Sequence, residues 1–143
     1  MKQVLRGLTL YQPWAYAVAT GLKTVENRKW KPSAAFLPPQ AELWIAIHAG
    51  ATYDLAGELF LQKHGVALPK EPSRVKGAIL GIGRLVSCVT QSDHPMFFGP
   101  WGWNLDQLQA LATPICVKGQ MSLWELEPAH EAQLRALIPS IAP

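Results

Sequence analysis

The sequence predicts an α+β domain: a small, mostly antiparallel sheet of five or six strands that curls into a barrel, with two or three short helices over its open ends. Three observations carry this expectation. Apolar runs of strand length alternate with breaks rich in Pro and Gly. Helical periodicity is confined to short segments with a recognisable start or stop residue. Finally, 143 residues with 49% hydrophobic and 16% charged side chains suit one globular domain spanning 1–143, with no room for a second.

Residues 3–10 alternate partly and carry β-branched side chains, as a short strand does. Residues 12–21 change period: Pro13 stands near the first helical position, the body is alanine-rich and Gly21 follows, the Pro-first, Gly-last asymmetry of a helix. Residues 23–30 alternate so regularly that a strand would place Lys23, Val25, Asn27 and Lys29 on one face and Thr24, Glu26, Arg28 and Trp30 on the other. Pro32, Pro38 and Pro39 make 31–40 a surface loop. The apolar run 41–48 reads as a buried strand ending at His48, and 53–64 as a helix with Leu55, Leu59 and Phe60 on its apolar side and Gly65 as its stop.

After a loop marked by Pro69 and Pro72, residues 77–90 form a long strand in which Gly81 and Gly83 signal a bulge or a close backbone approach. Residues 91–100 are a polar, Pro-containing break, and Trp101 opens another extended segment. Residues 115–117 and 121–126 flank Lys118-Gly119-Gln120, the pattern of a hairpin, and 129–138 close the chain as a helix. No internal repeat or low-complexity tract is present.

Charge is uneven. The net charge is only +3, yet residues 1–31 hold Lys2, Arg6, Lys23, Arg28, Lys29 and Lys31 against the single acid Glu26. This concentration favours a polyanionic or phosphate-bearing partner, although solvated lysines give the same count. Cys88 and Cys116 lie far apart in apolar surroundings, as buried free thiols do, so a disulfide scaffold is not expected. The start has no signal-peptide pattern and no apolar run reaches the roughly 18 residues of a membrane span. A soluble, cytoplasmic protein that does not contact membrane is the expectation. His48, His64, His94 and His130 are scattered, neither cysteine sits at zinc-ligand spacing, and no metal or cofactor is expected.

The densest polar cluster is Gly21-Leu22-Lys23-Thr24-Val25-Glu26-Asn27-Arg28, preceded by Gln12-Pro13-Trp14. A lysine supplies a point charge and an arginine a planar fork for phosphate or base edges, and a carboxylate between them can hold both in register or accept from a base amino group. The same three side chains would also suit a purely structural ion cluster. Six of the aromatic residues are tryptophan. Trp44 and Trp124 fall in apolar strands and suit the core, whereas Trp14, Trp30, Trp101 and Trp103 are candidates for stacking on bases. His48, with a pKa near neutrality, is a further candidate or a strand-end histidine bonded to backbone.

Gly21, Lys23, Glu26 and Arg28 reproduce the G-x-K-x-x-E-x-R signature of ASCH domains, the activating signal cointegrator homology domains of the PUA-like β-barrel superfamily. The Gln-Pro-Trp-Ala segment before it, the Ile-His-Ala strand after it, Phe97-Phe98-Gly99-Pro100-Trp101-Gly102-Trp103 and Gly119-Gln120-Met121-Ser122-Leu123-Trp124 extend the resemblance over nearly the whole chain, which looks like free-standing prokaryotic or phage ASCH proteins. The resemblance implies a PUA-like barrel whose cleft binds RNA, another nucleic acid or a nucleoside-like molecule through Lys23, Glu26, Arg28, Trp14, Trp30, Trp101 and Trp103.

Related ASCH-fold proteins include N4-acetylcytidine amidohydrolases, which implies an alternative: a metal-independent hydrolase with Lys23, Glu26 and Thr24 as candidate catalytic residues. That subgroup has threonine where this chain has Glu26, and Thr24 is out of phase with Lys23 on the alternation above. A ribonuclease using Lys23, Glu26 or His48 as general acid and base is the other enzymatic form. A protein partner, docked on the helices at 53–64 and 129–138, is a third class. No G-x-S-x-G elbow, phosphate-binding Gly-rich loop or H-E-x-x-H helix is present.

Overall fold

The computed structural model describes residues 2–34 and 40–138. Of the Pro-rich loop expected at 31–40, residues 35–39, with Pro38 and Pro39, lie outside the described residues. The elements run β1 (Lys2–Gln12), α1 (Trp14–Ala19), β2 (Val25–Arg28), β3 (Ala41–Tyr53), α2 (Leu55–Lys63), a 3-10 turn (Pro72–Arg74), β4 (Ala78–Val89), β5 (Trp101–Cys116) and α3 (Pro128–Arg135). The strands form one mixed sheet in the order β1-β3-β4-β5-β2. The β1–β3 pair is parallel and the other three pairs are antiparallel. Among the described residues this is an α+β half-barrel of five strands and three α-helices.

β3 lies inside the sheet between β1 and β4, and residues 43–49 are buried on both faces, which is why this stretch reads as an unbroken apolar run. Leu43, Ile45 and Ile47 join Leu8, Leu10 and the α1 residues Ala15, Val18 and Ala19 on one side. Trp44 and Ala46 join Leu5, Ile79, Ile82, Trp124 and the α3 residue Leu134 on the other. The strand continues to Tyr53, so His48 lies within it, at a register irregularity against β4, and not at its end. Gly50, which packs against the Thr9 side chain, does not terminate it.

Gly81 sits where the sequence predicts a close approach: a Cβ there would lie 2.5 Å from the Gln109 carbonyl, and the β4–β5 ladder shifts register beside it. The hairpin expected at 115–126 does not form. β5 ends at Cys116, and Trp124 instead exchanges two backbone hydrogen bonds with Gly7 (2.8 and 3.0 Å) on the outer edge of β1. The indole lies flat on Gly7, where any Cβ would collide with the ring, so this long-range contact wins over local pairing. α2 forms as expected, but its apolar positions Leu55 and Leu59 are 60% and 59% exposed; it turns Gly57 and Leu61 inward. The cysteines are free, with Cys116 exposed and Cys88 half-buried, a correction to their expected burial. Among the described residues no helix is long and apolar enough to cross a membrane.

Candidate functional site

β1 and β2 are the two edges of the sheet, and they meet across the mouth of the half-barrel. The chain reaches β2 from α1 through Gly21, whose φ of +82° supplies the left-handed turn that ends the helix. The Lys23 amide then donates to the Ala17 carbonyl at 3.0 Å, which fixes Lys23 ahead of the strand. Strand alternation therefore begins at Val25, and Lys23 turns inward to the same side as Glu26 and Arg28, a correction to the expected faces.

Those three side chains form a compact ion cluster. Lys23 and Glu26 are 2% and 7% exposed, and Lys23 Nζ lies 3.4 Å from Glu26 Oε1. Arg28 binds Oε2 through Nε (3.0 Å) and Nη2 (2.9 Å). Nη2 also donates to the Thr9 carbonyl of β1 at 3.0 Å. Burial pulls the Lys23 pKa below its ordinary 10.5 and the Arg28 charge adds to this, against the opposing pull of Glu26.

Trp14 forms the next wall. Lys23 Nζ sits 5.1 Å from its ring centroid, and its Nε1 donates to Asp54 Oδ2 at 2.8 Å. Asp54 Oδ1 meanwhile accepts from the Gly57 amide at 3.1 Å as the N-cap of α2. One carboxylate thus caps a helix and orients the indole. On the far side, Asn27 Oδ1 accepts from the amides of Phe98 (2.7 Å) and Gly99 (3.1 Å), while its Nδ2 donates to the Met96 carbonyl (3.1 Å). The Asn27 side chain thereby carries Phe98 to the rim, where its ring meets those of Trp14 and Phe60. Together Tyr11, Trp14, Phe98 and the ion cluster line a cleft of about 410 Å³.

A family profile for the ASCH domain matches residues 8–128. The chain belongs to the ASCH domain family. Activating signal cointegrator 1 from Homo sapiens is 28% identical over 140 residues, and the Mus musculus protein 27%. Each alignment covers 84% of this chain but 22% of the relative, so the chain spans about a fifth of the curated relatives it matches. Among solved structures, ASCH from Zymomonas mobilis and a point mutant of it share the fold, each with a TM-score of 0.51 over 93% of this chain. Identity to them is 19% and 18%, over 94% and 95% of their own chains.

In this ASCH domain the four signature positions are thus gathered at one mouth, with Gly21 shaping the turn and Lys23, Glu26 and Arg28 lining the cleft. Trp14 joins them. Trp30, Trp101 and Trp103 do not line it. Trp103 is fully buried, donates from Nε1 to the Trp30 carbonyl at 2.9 Å and meets the Trp30 ring edge-on at 4.9 Å, which leaves it no open face. Trp101 is half-buried, with Lys31 Nζ 5.2 Å from its ring.

Thr24 is exposed and faces the loop before Phe98: His94 Nδ1 accepts from the Met96 amide (3.0 Å), so Nε2 carries the proton and donates to Thr24 Oγ1 (3.1 Å). His48 is buried behind Thr9. Its Nε2 donates to the Val117 carbonyl at 2.7 Å and Nδ1 accepts from Thr9 Oγ1 at 3.1 Å, a neutral tautomer whose pKa burial pushes below 6.5. Among the described residues no cluster of His, Cys, Asp and Glu is arranged to hold a metal. Sequence reasoning missed Tyr11, Asn27, Asp54 and Phe98. Asp54 carried a signal, since an Asp directly before a helical pattern is an N-cap, but its bond to Trp14 is tertiary.

Proposed function

We propose that this ASCH domain binds a nucleobase, carried by RNA or by a free nucleoside, in the cleft around Lys23, Glu26 and Arg28. The observation that carries the reading is the meeting of three aromatic rings, Tyr11, Trp14 and Phe98, with one buried ion cluster. Rings supply stacking surface, and the cations supply polar contacts to a base edge. Tyr11 and Phe98, 58% and 54% exposed, take the stacking role that the sequence assigned to Trp30, Trp101 and Trp103. The two free thiols suit a reducing compartment and support a cytoplasmic location.

Titrating single-stranded RNA oligonucleotides and nucleosides against the protein and a Tyr11→Ala, Phe98→Ala double variant tests the reading. Each stacked base is worth about 1–3 kcal/mol, so at least a tenfold loss of affinity is expected. Equal binding by both proteins contradicts it.

One feature favours a second, hydrolytic reading: an amine buried in the cleft with a lowered pKa can take or relay a proton. Thr24 bonds outward to His94, so this reading rests on Lys23 with Glu26. Turnover of N4-acetylcytidine or labelled RNA, abolished in Lys23→Met with metal chelated, would support it; absence of turnover removes it.

A further inference from the structure

The segment that follows β5 closes over a buried titratable group. Residues 117–123 hold no helix or strand. They are pinned at one end by the Val117 amide on the Gly77 carbonyl (3.0 Å) and at the other by the two backbone bonds between Trp124 and Gly7. Between these anchors Lys118, Gln120, Met121 and Ser122 are exposed, Met121 to 91%. Ser122 also holds a left-handed φ of 58° without being glycine.

Beneath this segment lies His48, 2% exposed. Gly119 covers the ring so closely that a Cβ there would lie 2.6 Å from His48 Cε1 and 2.5 Å from Thr9 Oγ1. His48 Nε2 donates to the Val117 carbonyl and Nδ1 accepts from Thr9 Oγ1, a pair of bonds that suits the neutral ring. A protonated ring has two N–H donors. Thr9 receives the second only by turning its own proton to the Gln120 carbonyl, 3.5 Å away, at the limit of a hydrogen bond.

No counter-charge compensates. In the sheet His48 is flanked by Thr9 on β1 and Ile79 on β4, and Trp124 meets it edge-on at 5.5 Å. Of the charged groups on the surrounding elements, Arg28 at the Thr9 carbonyl, Lys76 before β4 and Lys118 are cations. Glu125 reaches away to Arg6 at 4.0 Å with its side chain 86% exposed. Burial accordingly pushes the His48 pKa below 6.5, against the opposing pull of its bond to Val117. The strands around the ring are held in ladders, so the covering segment is the wall that moves without breaking one.

We infer that residues 117–122 form a proton-released strap: acid lifts them off His48, which hydrates the imidazolium, while the sheet beneath stays folded. The closed strap holds the ring neutral, and the open strap leaves it to water at an ordinary histidine pKa. Protonation therefore favours the open state, by up to about tenfold for each pH unit below about 6.5 until the closed-state pKa is passed. The strap also backs Thr9, which receives Arg28, so opening takes support from the β1 wall of the cleft.

Hydrogen exchange of the intact protein in D2O, followed amide by amide by NMR and corrected for the intrinsic pH dependence of exchange, tests this. Val117 reports on the strap and Ile45 on the sheet. At pH 7.5 Val117 should exchange by local opening, at a rate unchanged in about 1 M urea, whereas Ile45 should require global unfolding and accelerate with urea. Lowering the pH from about 7.5 to about 5.5 should raise Val117 opening about tenfold and leave it insensitive to urea. His48→Gln keeps an N–H donor for the Val117 carbonyl and cannot titrate, so the acid response should vanish. Gly119→Ala should hold the strap off the ring already at pH 7.5 and lose most of the response.

An acid response below about twofold, a Val117 amide with the urea dependence of Ile45, or a response that persists in His48→Gln overturns the inference. Should His48→Gln fail to fold, Gly119→Ala, in a segment outside the sheet, decides alone: an undiminished acid response in that variant overturns it.

Discussion

The Arg28 guanidinium donates to the Thr9 carbonyl at 3.0 Å and so joins two edge strands that share no ladder. An exposed strand edge offers unpaired backbone groups to any neighbour. Here β1 is occupied along its outer edge, by Trp124 at Gly7 and by Arg28 at Thr9, and the cleft opens beside the second of these contacts. Arg28→Ala removes the bond to Thr9 and half of the support for Glu26. A loss of about 1.5–3 kcal/mol in unfolding free energy is expected from urea denaturation. A change below about 0.5 kcal/mol would mean that the mouth holds together without this bridge.

Glu26 is the common partner of both cations, and its side chain is almost fully buried. Glu26→Gln leaves Lys23 and Arg28 facing each other without a counter-charge. Breaking a buried pair from one side costs about 3–5 kcal/mol, and the amide's remaining hydrogen bonds place this variant near the lower end. The urea midpoint should fall with no change in the m-value.

Asn27 acts through Phe98. Its three hydrogen bonds hold residues 96–99, so Asn27→Ala should cost about 1–2 kcal/mol in stability. It should also weaken nucleobase binding as much as Phe98→Ala does. A double-mutant cycle checks the linkage: the combined variant should bind no worse than either single variant, and additive losses would separate the two residues.

His48 makes stability depend on pH. Its folded pKa lies below the unfolded 6.5, so the unfolded chain binds more protons between those two values. Stability should therefore be full above about pH 6.5 and fall as acid is added until the folded pKa is passed, then level off with respect to this group. In His48→Gln that share of the pH dependence disappears, while the Val117 carbonyl keeps an N–H donor. Thermal melts between about pH 7.5 and about pH 5 measure the difference, and identical slopes would contradict it.

Where burial and local chemistry coincide, the fold is legible in the residues. Pro13 and Gly21 bracket α1, and the run around Ile45 marks a strand covered on both sides. The errors arise where distant packing decides. Nothing near Trp124 in the chain announces Gly7, and β5 runs on through 107–114 to Cys116 although Gln107, at a φ of 47°, interrupts its regular alternation. The spacing of Leu55 and Leu59 marks a helix, but the face that packs is chosen by Trp14 against Gly57.

In the site, the charged residues of the signature could be read together because they lie within eight residues. Their geometry could not, since the bond from the Lys23 amide to Ala17 shifts the phase of the strand. The count of tryptophans says nothing of which rings keep an open face. Tyr11 and Phe98 owe their place to the β1 edge and to Asn27.

The central claim is that a nucleobase enters beside Trp14, and indole N–H resonances report on it directly. Six tryptophans give six such signals, one at each ring. On saturation with cytidine or a single-stranded RNA oligonucleotide, the Trp14 indole and Arg28 Nε signals should shift while that of the buried Trp103 stays within error. Shifts confined to Trp30, Trp101 and Trp103, with Trp14 unmoved, would contradict the account.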